Sequence, residues 1–289
     1  MGVIVGLVPA VFWGVLPLWL RRFTGGSFRS QLLGTALGIV LMAAGIHMIM
    51  RPALSAESAL LFLLSGFCWS FGQAGQYYCY ERLGVSVTMP LSTALQLIGN
   101  SIIGGLFFGE WLTGLDVLMS FAALLTLVVG VFVAHGRKDS GLVSVGSSDV
   151  RTRWRAYAVL LLTTAGYWLY SAFPLMAAVE GKLDGFLPQA VGMTISAALI
   201  AVTRPHEMLS RRTVVNVSSG LIFSVAAATY LLAMSMIGMV NAFVLSQLNV
   251  VVSTLIGGLV LHEFNRDSIP RIAAGLSVLM GGAVMMVAV

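Results

Sequence analysis

The sequence predicts an all-α integral membrane protein of ten transmembrane helices, arranged as two inverted five-helix repeats. Three observations lead there. The 289-residue chain is 58% hydrophobic and 9% charged, with a mean hydropathy of +0.95, whereas soluble domains carry about 25% charge, so lipid must be its solvent. Ten apolar runs of roughly 18 to 24 residues can be marked out, close to the ~20 residues a helix needs to cross ~30 Å of hydrocarbon, and none of the eleven carboxylates sits in the middle of one. Finally, the two halves of the chain echo each other at a nearly constant offset.

The runs follow in order. Residues 2–20 form the first, closed by Arg21 and Arg22; no positive segment precedes it, so it reads as a retained helix and not as a cleaved signal. The second, 32–50, carries Gly34-x-x-x-Gly38, a spacing that suits close helix packing, and stops at Arg51-Pro52. The third and fourth, 58–80 and 86–107, are the richest in polar side chains, and the fifth, 113–134, follows Glu110. A Gly-, Ser- and Arg-rich stretch, 136–155, reads as a flexible linker between a first repeat (1–135) and a second (156–289). The remaining runs are 156–178, 186–203, 213–236, 240–261 and 271–289. Pro9, Pro17, Pro90 and Pro174 fall inside runs and predict kinks of the kind membrane helices tolerate.

The internal echo rests on particular residues. Phe12-Trp13 recurs as Tyr167-Trp168, Gln31-x-x-Gly34 as Gln189-x-x-Gly192, Arg51-Pro52 as Arg204-Pro205, and Gly104-Gly105 with Glu110 as Gly257-Gly258 with Glu263. An offset held between 153 and 158 residues indicates duplication. Because five is odd, the second copy enters the membrane with opposite polarity, a plan that places a substrate site near the midplane between the repeats.

Orientation follows from the basic residues. Fourteen of the sixteen lie in alternate loops: Arg21, Arg22, Arg29, Arg82, Arg137, Lys138, Arg151, Arg153, Arg155, Arg204, Arg211, Arg212, Arg266 and Arg271. Only Arg51 and Lys182 lie on the other side. The positive-inside rule then puts those loops and the linker in the cytoplasm and both termini outside. The same distribution explains the formal charge of +5 without a nucleic-acid partner, since no basic stripe lies on a folded domain. Cys68 and Cys79 share one predicted helix, too far apart for a mutual disulfide.

Polar side chains inside hydrocarbon are costly unless they face a partner or a wet cavity, so their helical positions point to a site. Trp69, Gln73, Gln76 and Tyr80 share one face of the third helix, and Thr88, Ser92, Gln96 and Asn100 recur every four residues along the fourth. Ser246, Gln247, Asn249 and Ser253 mark the ninth. Neutral amides and hydroxyls both donate and accept, which suits a polyhydroxy ligand, while Trp and Tyr rings pack against the C–H face of a sugar. A cationic ligand would call for a buried carboxylate and an organic anion for a buried Arg or Lys; neither is present at depth. The competing reading is that such residues simply join helix to helix. Glu110 and Glu263 read as interfacial caps, and His47, one turn from Arg51, as interfacial too. There is no Gly-rich phosphate loop, no metal-spaced His/Cys cluster and no paired acids, so neither an enzyme nor a cofactor or metal site is expected.

The blocks Pro9-Ala10-x-Phe12-Trp13-Gly14, Gln31-x-x-Gly34-Thr35-x-x-Gly38, Trp69-x-x-Gly72-Gln73-x-x-Gln76, Thr88-Met89-Pro90-x-Ser92-Thr93-x-x-Gln96-Leu97-x-Gly99 and Gly109-Glu110-Trp111 resemble those of the bacterial glucose/ribose porter (glucose uptake protein) family, within the drug/metabolite transporter superfamily. Gly166-Tyr167 with Tyr170, Pro188-Gln189-x-x-Gly192, Ser246-Gln247 and Glu263 extend the resemblance over nearly the whole chain. It implies a ten-helix carrier of the bacterial cytoplasmic membrane that imports a monosaccharide, glucose or ribose, together with protons. From the residues alone, proton coupling and uniport both stay open, because no acid or histidine lies deep in a helix.

Alternating access with the sugar held by Trp13, Trp69, Gln73, Gln76, Ser92, Gln96 and Asn100 from one repeat and by Tyr167, Gln189 and Gln247 from the other is the reading these residues favour. Ala227, Ala228 and Leu231 stand opposite Gln73 to Gln76, so recognition is expected to lean on the first repeat. The rivals are an exporter of amino acids or other small metabolites on the same fold, and a membrane module that transports nothing. Orientation has a direct check: a reporter that fluoresces only in the cytoplasm, fused after Val289, is expected to stay dark.

Overall fold

The structure, a computed structural model, describes residues 1–135, 150–260 and 269–287, and those residues form helices with no strand among them. The helices are α1 (Gly2–Trp19), α2 (Phe28–Met50), α3 (Ala56–Leu83), α4 (Val85–Ile102), α5 (Gly114–His135), α6 (Val150–Thr163), α7 (Ala165–Met176), α8 (Phe186–Ala201), α9 (Pro205–Met208), α10 (Arg211–Val215), α11 (Val217–Ile237), α12 (Met239–Gln247), α13 (Asn249–Val260) and α14 (Ile269–Val287). Most of the predicted linker, with Arg137 and Lys138, lies outside the described residues, as do Glu263 and Arg266.

Nine helical stretches among the described residues are long and apolar enough to cross a membrane. The fourth apolar run, α4, is not one of the nine; Thr88, Ser92, Thr93, Gln96 and Asn100 dilute it, and all five are buried. Three predicted spans are interrupted for a single residue, 213–236 among them, at Asn216 between α10 and α11. The run 156–178 breaks at Thr164 between α6 and α7, and 240–261 breaks at Leu248 between α12 and α13. No proline causes these breaks. Thr163 and Thr164 instead donate to the carbonyls of Val159 and Leu160, and Ser246 to that of Phe243, the back-bonding that bends helices.

Glycines set the helix spacing at the seams. A Cβ on Gly38 would collide with the carbonyl of Val217 and one on Gly220 with that of Thr35, so α2 and α11 lie backbone to backbone. Gly66 and Gly192 do the same for α3 and α8, against the carbonyls of Gln189 and Leu63. Elsewhere α1 packs on α11 while α6 and α7 pack on α3, and α5 packs on α14. Gly84 and Gly238, 154 positions apart, open α4 and α12 with nearly equal positive φ angles of 81° and 78°, which glycine adopts without strain.

Each end of the bundle is fastened by polar ties. At one end Arg21 donates to the Tyr80 carbonyl (2.9 Å), Glu81 accepts from the Phe28 backbone N–H (2.7 Å), and Arg212 and Asn216 donate to the carbonyls of Thr24 and Gly25. At the other, Glu110 accepts from the backbone N–H groups of Met239 (2.9 Å) and Val240 (2.7 Å), so a carboxylate from the first half caps α12 in the second. Burial pushes the Glu110 carboxyl above its ordinary value of 4.5, with those two hydrogen bonds pulling the other way.

Gly38→Leu is expected to abolish monodisperse protein in detergent, whereas Gly45→Leu, with nothing within 4 Å of its added Cβ, leaves yield and Tm unchanged. For Glu110 the sign follows from the raised value: the folded chain holds the proton more tightly than the unfolded one. Its contribution to stability is therefore full below 4.5 and declines as pH rises through the raised value. Tm measured across that window should fall more steeply in the wild type than in Glu110→Gln; equal slopes would exclude Glu110 as the source.

Candidate functional site

The polar face of α3 does not meet lipid. Trp69, Gln73, Gln76 and Tyr80 are all buried, because α7 lies across this face at the closest possible distance: a Cβ on Gly72 would meet the ring of Tyr167 at 2.7 Å. The Tyr167 hydroxyl shares its proton between Gln73 Oε1 (3.0 Å) and Gln76 Oε1 (2.9 Å). Gln73 Nε2 donates to Gln76 Oε1 (3.2 Å), and Gln76 Nε2 donates to Ser92 Oγ on α4 (3.0 Å). Gln96 Nε2 donates to the same Ser92 Oγ (2.9 Å). One network thus joins α3, α4 and α7, two from one half of the chain and one from the other.

This network walls a cavity with about 540 Å³ of unoccupied space, counting its opening. Among the predicted site residues, Trp13, Trp69, Gln73, Gln76, Gln96, Tyr167 and Gln247 line it. The other three do not. Ser92 stands behind Gln76 and Gln96 as their common acceptor. Asn100, one helical turn beyond Gln96 along α4, is fully buried. Gln189 donates to Ser65 Oγ (2.8 Å), which in turn donates to the Tyr170 carbonyl (2.6 Å), so it ties α8 to α3 and, through Ser65, to α7. A polar side chain at helical spacing reads the same whether it faces a cavity or a neighbouring helix, which is why the sequence grouped the ten together.

The second half contributes more of the wall than its sequence suggested. Where Ala227, Ala228 and Leu231 left α11 looking empty of function, Phe223 and Tyr230 reach the cavity from the same helix. Their rings join those of Trp13, Trp69, Tyr170 and Phe243 in a continuous aromatic wall: Trp69–Phe223 centroids are 5.0 Å apart, Trp13–Phe223 5.5 Å, Trp13–Tyr230 5.7 Å, and Tyr170 stacks on Tyr230 at 6.4 Å. Phe223 lies 154 positions after Trp69 and Tyr230 154 after Gln76, so the echo between the halves locates both, once aromatic rings are accepted in place of Trp and Gln. Tyr80, Tyr170, Ser171 and Asn249 line the cavity as well. No charged side chain lies among the described lining residues.

The chain matches the model of the family described as sugar transport protein over residues 4–289. It is 36% identical over 286 residues to a "Putative sugar uptake protein" of Lactiplantibacillus plantarum, covering 97% of each chain. To the "Glucose uptake protein GlcU" of Bacillus subtilis it is 30% identical, covering 99% of this chain and 98% of the other. To a "Putative ribose uptake protein RbsU" of Latilactobacillus sakei it is 31% identical, covering 98% and 97%. A solved crystal structure matches with a TM-score of 0.67 at 17% identity, over 98% of this chain and 95% of that one, a likeness of fold.

Proposed function

The chain belongs to the sugar transport protein family, and from that premise we propose that it imports a neutral monosaccharide of the glucose or ribose type across the bacterial cytoplasmic membrane, as a secondary transporter working by alternating access. The observation that carries this reading is the cavity wall: amides, hydroxyls and aromatic rings drawn from both halves, with no charge among the described lining residues. Such a wall replaces the water around sugar hydroxyls and offers ring faces to sugar C–H groups. It offers no counter-charge to the ammonium and carboxylate of an amino acid, which separates it from the exporter reading.

Ten spans in two inverted repeats is the architecture we assign, with α4 as the tenth span. Exchanging the halves maps the packing of α1 on α11 onto that of α6 and α7 on α3, maps α2 with α11 onto α8 with α3, and leaves the pairs α2–α8 and α5–α14 unchanged. The paired glycines Gly84 and Gly238 support the same exchange. We place the end of the bundle bearing Arg21, Arg82 and Arg212 in the cytoplasm and both termini outside. Trp13, Trp69, Gln73, Gln76, Gln96, Tyr167 and Gln247 face the sugar in this reading; Ser92, Asn100 and Gln189 act from behind the wall.

Uptake of labelled glucose and ribose into proteoliposomes tests the proposal. Saturable uptake of at least one sugar is expected, and stimulation by an inward proton gradient would mark symport where its absence marks uniport. Gln96→Leu, which deletes the amide that both faces the cavity and holds Ser92, is expected to cut uptake at least tenfold, since sites built around hydrogen bonds discriminate strongly. Unchanged kinetics in that variant would remove Gln96 from the site.

A further inference from the structure

The cavity wall divides into polar groups that already have partners and polar groups that have none. On the first-half side, Gln73 and Gln76 spend their amides on one another, on Ser92 and on Tyr167, and Gln96 gives its Nε2 to Ser92. Four residues that line the cavity each hold a buried side-chain atom with no hydrogen-bond partner among the described residues: Trp13 Nε1, Tyr170 Oη, Gln247 Oε1 and Asn249 Oδ1. Tyr170, Gln247 and Asn249 are 4%, 4% and 5% exposed. A buried polar atom left unpaired is destabilising, so four around one cavity are a standing demand for hydrogen bonds.

Local geometry explains how two of them come to face the same space. Residues two apart on an unbroken helix point about 160° away from each other. The interruption at Leu248 separates α12 from α13, and with it Gln247 and Asn249 both reach the cavity. The helix break is therefore part of the site, in line with the discontinuous helices at which transporters hold their substrates. Chemically, the four atoms comprise one obligate donor in the Trp13 indole, two amide oxygens that accept, and a phenol that does either. A polyol with adjacent hydroxyls matches that set: its O–H groups donate to the amide oxygens while its own oxygens accept from Trp13.

Resting on the sugar reading above, we infer that Trp13, Tyr170, Gln247 and Asn249 are the groups that hydrogen-bond the sugar and choose among its hydroxyl patterns. Gln73, Gln76 and Tyr167 are positioning residues, whose mutual bonds fix the shape of the cavity. Asn249 and Tyr170 enter the site on this argument, and recognition moves toward the second half of the chain.

The test pairs volume-conserving variants with a set of monodeoxy-glucoses competing against labelled glucose in proteoliposomes. Tyr170→Phe, Gln247→Met and Asn249→Leu are each expected to weaken glucose about tenfold. Each should do so while leaving one deoxy sugar, the one lacking the matching hydroxyl, bound as well as by the wild type. Gln76→Met, acting through wall shape, should shift glucose and every deoxy analogue by a common factor. Tyr170→Phe removes one oxygen and no packing volume, so it keeps the test open if the other variants fail to fold. The inference is overturned if Tyr170→Phe and the remaining folded variants change no affinity, or shift all analogues alike. A wild type that carries neither glucose nor ribose overturns the transport reading itself, and this assignment with it.

Discussion

Hydrocarbon offers no hydrogen bonds, so every polar group this chain takes into the membrane must find its partner in the protein or in what the protein binds. The rest of the structure obeys that constraint. Among the described residues charged side chains lie toward the two ends, where Arg21, Glu81, Arg212 and Glu110 bond backbone groups of neighbouring segments. Between the ends, hydroxyls of Thr163, Thr164, Ser224 and Thr229 fold back onto carbonyls of their own helices. Amides are too long for that, so Gln73, Gln76 and Gln96 gather on one wall and Gln189 spans two helices.

A network such as that of Tyr167, Gln73, Gln76, Ser92 and Gln96 has two consequences at once. Its members satisfy one another in a low-dielectric surrounding, which holds their rotamers in place. Because Tyr167 comes from the second half and the others from the first, the same bonds also fix how the halves approach around the cavity. Dispersion among the tilted and edge-on rings of the aromatic wall adds a rigid counterpart to it.

Much of this was legible in the sequence, for reasons that differ from residue to residue. Run length and the exclusion of acids led to the nine described stretches long and apolar enough to cross a membrane, and the i, i+4, i+7, i+11 spacing on α3 marked a face that does border the cavity. The spacing on α4 was equally regular yet mixed three environments, since Gln96 lines the cavity, Ser92 stands behind it and Asn100 is buried beyond it. Periodicity reports a face, not what covers the face. Phe223, Tyr230 and Phe243 carry no such signal, because an aromatic in an apolar run looks like core. The interruptions at Thr164 and Leu248 were hidden because neither falls at a proline or glycine; they depend on hydroxyls whose back-bonding is optional in a sequence and decided by tertiary packing.

The glycine seams carry a mechanical implication. Where Gly38 meets Gly220 and where Gly66 and Gly192 meet carbonyls of the facing helix, two smooth backbones touch with no interlocking side chains between them. Interdigitated ridges would have to climb out of their grooves for one helix to roll over another. A pair of smooth contacts, one on α2 with α11 and its counterpart on α3 with α8, behaves like a pair of bearings. At these seams no ridge resists a small roll of one helix on the other, so what holds the register of the two halves there is left to the polar clasps at the ends of the bundle.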